Sequence, residues 1–287
     1  MSLFYIAVSI ICSLSVAQFL KIAETKKIGV FKILAVNYLT AFFISYASSS
    51  EKYDIVDSMA ALDGWVYILA GVLGIIFIAN LAVYSRSIDR IGMGISIAAM
   101  RMSLIFPIAL SLWVFNESLV WIRYVGIVTA FIALLLMLPR FTKKKITGIS
   151  DAWLPLLIFI MTGFADSGLK IYESVYSAEI SEGLFLSGLF LVSFIFGMGV
   201  LIYRRDLKFS AIEIGYGVAT GIVNLYSSIF LIYALQSMPG SVVFPIINVC
   251  LVILGTFVGI WFWNDQPTKK QWFGLLVAII SILLLVG

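Results

Sequence analysis

Two stretches of the chain say nearly the same thing 148 residues apart. WVFNESLVWIRYVGIVTAFIALLL, from Trp113, aligns without a gap on WFWNDQPTKKQWFGLLVAIISILLL, from Trp261. Trp113 falls on Trp261, Asn116 on Asn264, Glu117 on Asp265, Gly126 on Gly274 and Ala130 on Ala278. Each copy reads as an apolar helix, a short polar break and a second apolar helix. Pro107 weakens the helix before the first break, and Asn116–Glu117 ends it, because polar side chains and free backbone groups need water. A shorter echo, LKIAE at Leu20–Glu24 and LKIYE at Leu169–Glu173, lies at an offset of 149. Polar landmarks at a shared offset predict a duplicated unit, two halves of about 145 residues each.

With 62% apolar and 12% charged residues, the chain is outside the range of a soluble domain. Its apolar runs are long enough to cross a hydrocarbon core about 30 Å thick. Ten spans are predicted, at 3–23, 29–48, 63–84, 92–115, 119–138, 152–172, 183–203, 210–235, 240–262 and 270–286. The first has no basic leader and no small-residue cleavage site, so it reads as a permanent span. The predicted fold is all-α and membrane-integral, ten transmembrane helices as two five-helix repeats. Residues 1–140 form the first repeat, 141–151 a basic cytoplasmic linker and 152–287 the second repeat. An odd number of spans per half makes the halves cross in opposite senses, the inverted repeat of many secondary transporters, with the substrate site near the midplane.

Charge orients the spans. Lys26, Lys27, Lys32, Arg86, Arg90, Arg140, Lys143–Lys145, Arg204, Arg205, Lys208, Lys269 and Lys270 fall in loops after odd-numbered spans, with Lys21 at the edge. The other side holds only Lys52, Arg123 and Lys170, beside the acidic loop of Glu51, Asp54, Asp57 and Asp63. The positive-inside rule places the basic loops in the cytoplasm and, with ten spans, both termini outside. Absences bear on function. There is no histidine, so no His-based catalysis and no HExxH metal site, and no glycine precedes a lysine, so no Walker A loop. Cys12 and Cys250 fall inside spans and read as small apolar residues. Neither an enzyme nor an ATP-driven pump is expected, nor a cofactor, a metal or a nucleic-acid partner. The expected partners are a small-molecule substrate and the lipid bilayer, with the chain a monomer or homodimer.

Ten short spans in two five-helix halves, each closed by the helix–acid–helix–Gly signature of Asn116–Gly126 and Asn264–Gly274, resemble the drug/metabolite transporter superfamily, in its EamA-type branch. The resemblance covers the whole chain. It implies a secondary transporter of small metabolites whose central cavity is lined by spans one, three, four, six, eight and nine. The proline that the family carries in the fourth span of a half is present once, as Pro107; Gly255 stands at the equivalent place.

Arg101, near the middle of span four, is the most informative residue. A mid-membrane arginine costs at least about 2.5–3.5 kcal/mol, so it should face a cavity or a partner. It reads as a guanidinium for an anionic or zwitterionic substrate, or as a structural ion pair with Asp166. Asp166, inside span six, could take a proton, neutralise Arg101 in an empty site, or pair with Lys170 one turn on. Lys21/Glu24 and Lys170/Glu173 are symmetry mates at opposite faces, readable as gates or as snorkelling side chains. Asn37, Asn80, Asn224 and Asn248 are intramembrane amides suited to interhelical hydrogen bonds or to lining a cavity. Tyr84, Tyr226 and Tyr233 could add aromatic walls. Together these residues predict an inner-membrane secondary transporter of a small polar metabolite, an amino acid or related carboxylate or phosphate solute, with export among the directions. The competing readings are a flippase of lipid-linked substrates and a non-transporting receptor or assembly subunit.

Overall fold

The computed structural model describes residues 2–49, 64–91, 93–138, 153–264 and 266–287. The acidic Glu51–Asp63 loop, the basic link Arg140–Lys145 with the rest of the 141–151 linker, and Asp265 lie outside the described residues. Among the described residues eleven α-helices follow one another: α1 (Ser2–Thr25), α2 (Val30–Ser48), α3 (Gly64–Ile91), α4 (Met93–Met102), α5 (Ile105–Ala109), α6 (Trp121–Met137), α7 (Trp153–Ile171), α8 (Glu182–Tyr203), α9 (Ala211–Ser237), α10 (Gly240–Trp263) and α11 (Lys269–Val286). π-helical turns continue α5 through Leu110–Val114 and α7 through Tyr172–Tyr176. No strand occurs among the described residues. Among the described residues, nine helical segments are long and apolar enough to cross a bilayer, and α6 adds a shorter apolar one. They account for the ten predicted spans. Span three overruns its predicted end at residue 84: with no glycine or proline between Gly74 and Gly92, α3 continues to Ile91, so Arg86 and Arg90 lie on its last turns rather than in a loop.

The chain divides into two compact units, each drawing on both halves of the sequence. One comprises Leu3–Ala82 and Gly168–Gln236. In it α2 and α8 pack antiparallel. Ser45 Oγ donates to Gly183 O at 2.7 Å, and Ser49 meets Ser181 at 3.2 Å. Toward the other end of the pair, Gly197 lies against Ala35 of α2 and Ile78 of α3. Apolar lipid gives helices little hydrophobic reason to associate, so small residues that admit close backbone approach carry the packing. At Gly74 an added Cβ would stand 2.5 Å from the carbonyl oxygen of Leu189, and Ser193 Oγ donates to Gly74 O at 2.8 Å. Tyr172 stacks on Phe185, with ring centroids 4.0 Å apart, and donates to Ile180 O.

At the opposite end of this unit α1 and α8 close in the same way. Ile28 N donates to Ala23 O and Lys27 N to Glu24 O; Asp206 N donates to Leu201 O and Arg205 N to Ile202 O. Both are Schellman turns, which place the residue after the cap in the left-handed region. Here those residues are Lys27 (φ 53°) and Arg205 (φ 54°), not glycine, at a cost of about 1–2 kcal/mol each. Lys32, in the first turn of α2 just beyond the first of these turns, reaches the segment that follows the second, with Nζ 2.7 Å from Asp206 Oδ1, 3.6 Å from Glu213 Oε1 and donating to Lys208 O at 2.8 Å.

The second unit comprises Val83–Ser167 and Ser237–Gly287, with the first two residues. Its α6 and α11 also run antiparallel, and their contacts are reciprocal. Gly126 lies against Leu284 and Leu285, and Gly274 against Leu136 and Met137. Each contact maps onto the other through the 148-residue offset. Asn116 and Asn264, equivalent in sequence, both adopt left-handed backbone (φ 49° and 54°), the conformation that asparagine tolerates best among non-glycine residues. The break at Asn116–Glu117 is not satisfied by water alone. The Glu117 carboxylate accepts from Gly240 N at 2.8 Å, Ser241 N at 3.0 Å and Ser241 Oγ at 2.6 Å, capping α10 with the charge sign that a helix N-terminus favours.

Gly74→Ala is expected to destabilise the purified protein by about 1–3 kcal/mol, because a backbone carbonyl cannot move aside. Gly71→Ala, one turn away with nothing within 4 Å of its added Cβ, is expected to be neutral. Thermal unfolding of both variants in detergent checks this.

Candidate functional site

Pro107 shapes the centre of the second unit. It has no N–H to donate, and its ring pushes against the carbonyl four residues back, that of Ser103. The helix opens there. α4 stops at Met102, Ser103–Leu104 form a turn, and α5 restarts with Phe106 N donating to Ser103 O at 3.0 Å and Ile108 N to Leu104 O at 3.2 Å. The α10 counterpart has Gly255 at the aligned place and, although it carries Pro245 nearer its start, runs as one helix from Gly240 to Trp263, so the interruption is found before Pro107 alone of the two. Arg101 occupies the last turn of α4, at the lip of this break.

Two neighbours frame Arg101. From α10, Asn248 donates Nδ2 to Phe244 O at 3.0 Å, which fixes its amide, and turns Oδ1 to accept from Arg101 Nη1 at 3.1 Å. From α7, Asp166 is brought in by Phe106, whose ring lies over Gly163 so closely that a Cβ there would overlap it; Phe159 and Phe164 flank the same ring. Asp166 and Tyr84 both lie within electrostatic reach of the guanidinium. No carboxylate among the described residues forms a contact ion pair with it. Arg101 Nε is buried and has no hydrogen-bond partner. Arg101 is thus held by a neutral amide, faced by a carboxylate at a distance, and keeps an unsatisfied donor. The contact ion pair with Asp166 is not formed.

The structure therefore brings together Arg101, Asp166, Asn248 and Tyr84. The other sequence-derived candidates belong to the first unit. There Asn224 Nδ2 donates to Asn37 Oδ1 at 3.2 Å, joining α9 to α2. Asn80 is buried and engaged, and Tyr226 is exposed, with its ring against Phe230. Lys170 is buried and pairs with Glu173 at 2.7 Å, where α7 passes into its π-turn; this i,i+3 contact ties one turn to the next. Lys21 and Glu24 are half-buried and engaged on α1. Tyr233 donates to Glu182 Oε1 at 2.5 Å. Reading the sequence missed Glu117 as a helix cap. The signal was present in its alignment with Asp265, an acid at the same break in both halves.

A chain whose described residues are helical, with nine or ten apolar segments of about bilayer length and a half-buried arginine at a helix break, is a multi-pass membrane protein. A solved protein crystal structure shares this fold, with a TM-score of 0.75 over 99% of this chain and 95% of its own, at 11% identity. An uncharacterized protein of Haemophilus influenzae is 25% identical over 289 aligned residues, covering 96% of this chain and 94% of that one. The model of the EamA-like transporter family matches residues 144–287, half of the chain. The chain belongs to the EamA-like transporter family, within the drug/metabolite transporter superfamily.

Asn248→Ala removes the amide that holds Arg101. It is expected to destabilise the protein by about 1.5–3 kcal/mol, the range for a hydrogen bond to a charged group. Asn248→Asp, which offers a contact carboxylate, is expected to restore stability in thermal unfolding.

Proposed function

We propose that the protein is a secondary transporter that carries a small polar metabolite bearing a carboxylate or phosphate, an amino acid first among them, across the inner membrane by alternating access. The observation that carries this reading is the state of Arg101. A guanidinium beside a helix break, with Nε unpartnered and only a neutral amide in contact, can offer parallel donors to an acid group, as arginine does in bidentate recognition. Asn248 aims the fork. Asp166 balances the charge when the site is empty and gives way when the substrate's own anion arrives. A discontinuous transmembrane helix beside the binding residue is a recurring feature of secondary transporters. The reciprocal Gly126–Leu285 and Gly274–Met137 contacts support two halves of opposite sense. The basic turns at Lys26–Lys27 and Arg204–Arg205 share one end of their unit through Lys32, which supports a cytoplasmic end and, with ten spans, both termini outside.

Arg101→Lys keeps the charge and loses the planar fork. It is expected to weaken binding of the cognate acid, and Arg101→Ala to abolish it, while both proteins insert and purify. A thermal-shift screen against a panel of carboxylate and phosphate metabolites reads the effect. Normal binding by Arg101→Ala would remove Arg101 as the anchor. If Arg101→Ala fails to fold and the double variant Arg101→Ala/Asp166→Ala restores folding, Arg101 is structural and the acid-substrate inference falls.

Orientation is tested in a background lacking Cys12 and Cys250. Ser118→Cys, exposed beside the Glu117 cap, is expected to react with an impermeant maleimide in intact cells. Lys208→Cys, exposed at the basic end, is expected to react only after lysis. The opposite pattern would invert the topology.

A further inference from the structure

One end of the unit built from Leu3–Ala82 and Gly168–Gln236 gathers cations in an unusual backbone setting. α1 runs out at Lys26–Lys27 and α8 at Arg204–Arg205, in matching Schellman turns with Lys27 and Arg205 at the left-handed position. A helix C-terminus attracts cations through its dipole, which accounts for basic residues near both ends. It does not account for a long basic side chain at the one position where the backbone disfavours it, twice, at the same end of the unit. Elsewhere this chain places asparagine in that conformation, at Asn116 and Asn264.

The carboxylates at this end are already in use. Asp206 and Glu213 face Lys32, Glu213 also accepts from Ser210 N and Oγ, and Glu24 is engaged. Lys26, Lys27, Arg204, Arg205 and Lys208 are all exposed, and none has a carboxylate partner among the described residues. Arg204 lies over the Phe31 ring at 4.4 Å and Lys26 over Tyr216 at 5.9 Å. Next to the cations the surface turns apolar: Ile202, Leu207 and Ile212 are exposed, and Tyr203 is 90% exposed.

From this juxtaposition we infer that the paired dibasic turns form a binding surface for the phosphates of anionic phospholipid headgroups. Guanidinium forks and ammonium groups meet phosphate oxygens, while the adjoining apolar side chains take the acyl region just below. Clustered lysine and arginine at the end of a membrane helix attract anionic lipid electrostatically. A soluble phosphate would gain nothing from Tyr203 and Ile202, and a zwitterionic headgroup brings its own cation against the patch. This inference is independent of the role proposed for Arg101.

The test uses the full chain purified in detergent. Native mass spectrometry compares retention of phosphatidylglycerol and phosphatidylcholine of matched acyl chains, and thermal unfolding is followed with the same lipids and with inorganic phosphate. Wild type is expected to prefer phosphatidylglycerol. Lys27→Gln/Arg205→Gln is expected to lower that preference roughly twenty-five-fold, about fivefold per charge, with phosphatidylcholine retention unchanged. Lys27→Gly/Arg205→Gly relieves the left-handed backbone, so it should unfold no earlier than wild type without lipid and still lose the phosphatidylglycerol response. Lys269→Gln/Lys270→Gln, an equal charge change in the other unit, is expected to keep it. An undiminished phosphatidylglycerol preference in the glycine variant would overturn the proposal, as would equal stabilisation of wild type by inorganic phosphate alone.

Discussion

Inside a bilayer no water is at hand to satisfy a backbone N–H or C=O, so every interruption of a helix must be answered by the protein itself. The described chain answers several of its breaks with a specific group. The Glu117 carboxylate takes the first donors of α10. Thr268 and Gln271 form a reciprocal capping box at the start of α11, and Ser181 caps α8. The Schellman turns after α1 and α8 return their last carbonyls to backbone donors. Helix packing depends on the same requirement, since a backbone that satisfies itself can approach another at Gly74 or Gly221 without leaving orphaned groups.

The break at Pro107 is the one answered least completely. It interrupts α4 beside the residue least at home in hydrocarbon, and the surroundings of Arg101 only partly satisfy it: an amide at 3.1 Å and a buried Nε without a partner. A structural arginine would be expected to gather carboxylates in contact, as Lys32 and Lys170 do in the other unit. The contrast between those paired lysines and the underpaired arginine is what supports the binding role proposed for Arg101.

The ten spans and the family were legible because they rest on composition, length and repeated polar landmarks. Asn116 and Asn264 were visible as a repeated pair, although their shared left-handed backbone was not. The amides were harder. Asn37, Asn224 and Asn248 look alike in sequence, yet Asn37 and Asn224 bond to each other while Asn248 holds Arg101. Which amide meets which depends on helix rotation and crossing, and an apolar run almost free of polar residues carries little information about rotation. The helix of span three runs past its predicted end because hydropathy falls at Arg86 while helix propensity does not.

The sequence alone determined an all-α, multi-pass membrane protein with polar landmarks echoed at a fixed offset, a proline in the fourth span and an arginine six residues before it. These follow from local properties: hydropathy over a span, proline's missing donor and polar residues at a fixed offset. Tertiary structure decided that Glu117 caps α10, that α6 and α11 meet through reciprocal glycine contacts, and that Arg101 is held by Asn248 while Asp166 stays out of contact. Those outcomes join residues more than 120 positions apart. They depend on how closely two backbones can approach, which small residues permit but which no single stretch of sequence specifies.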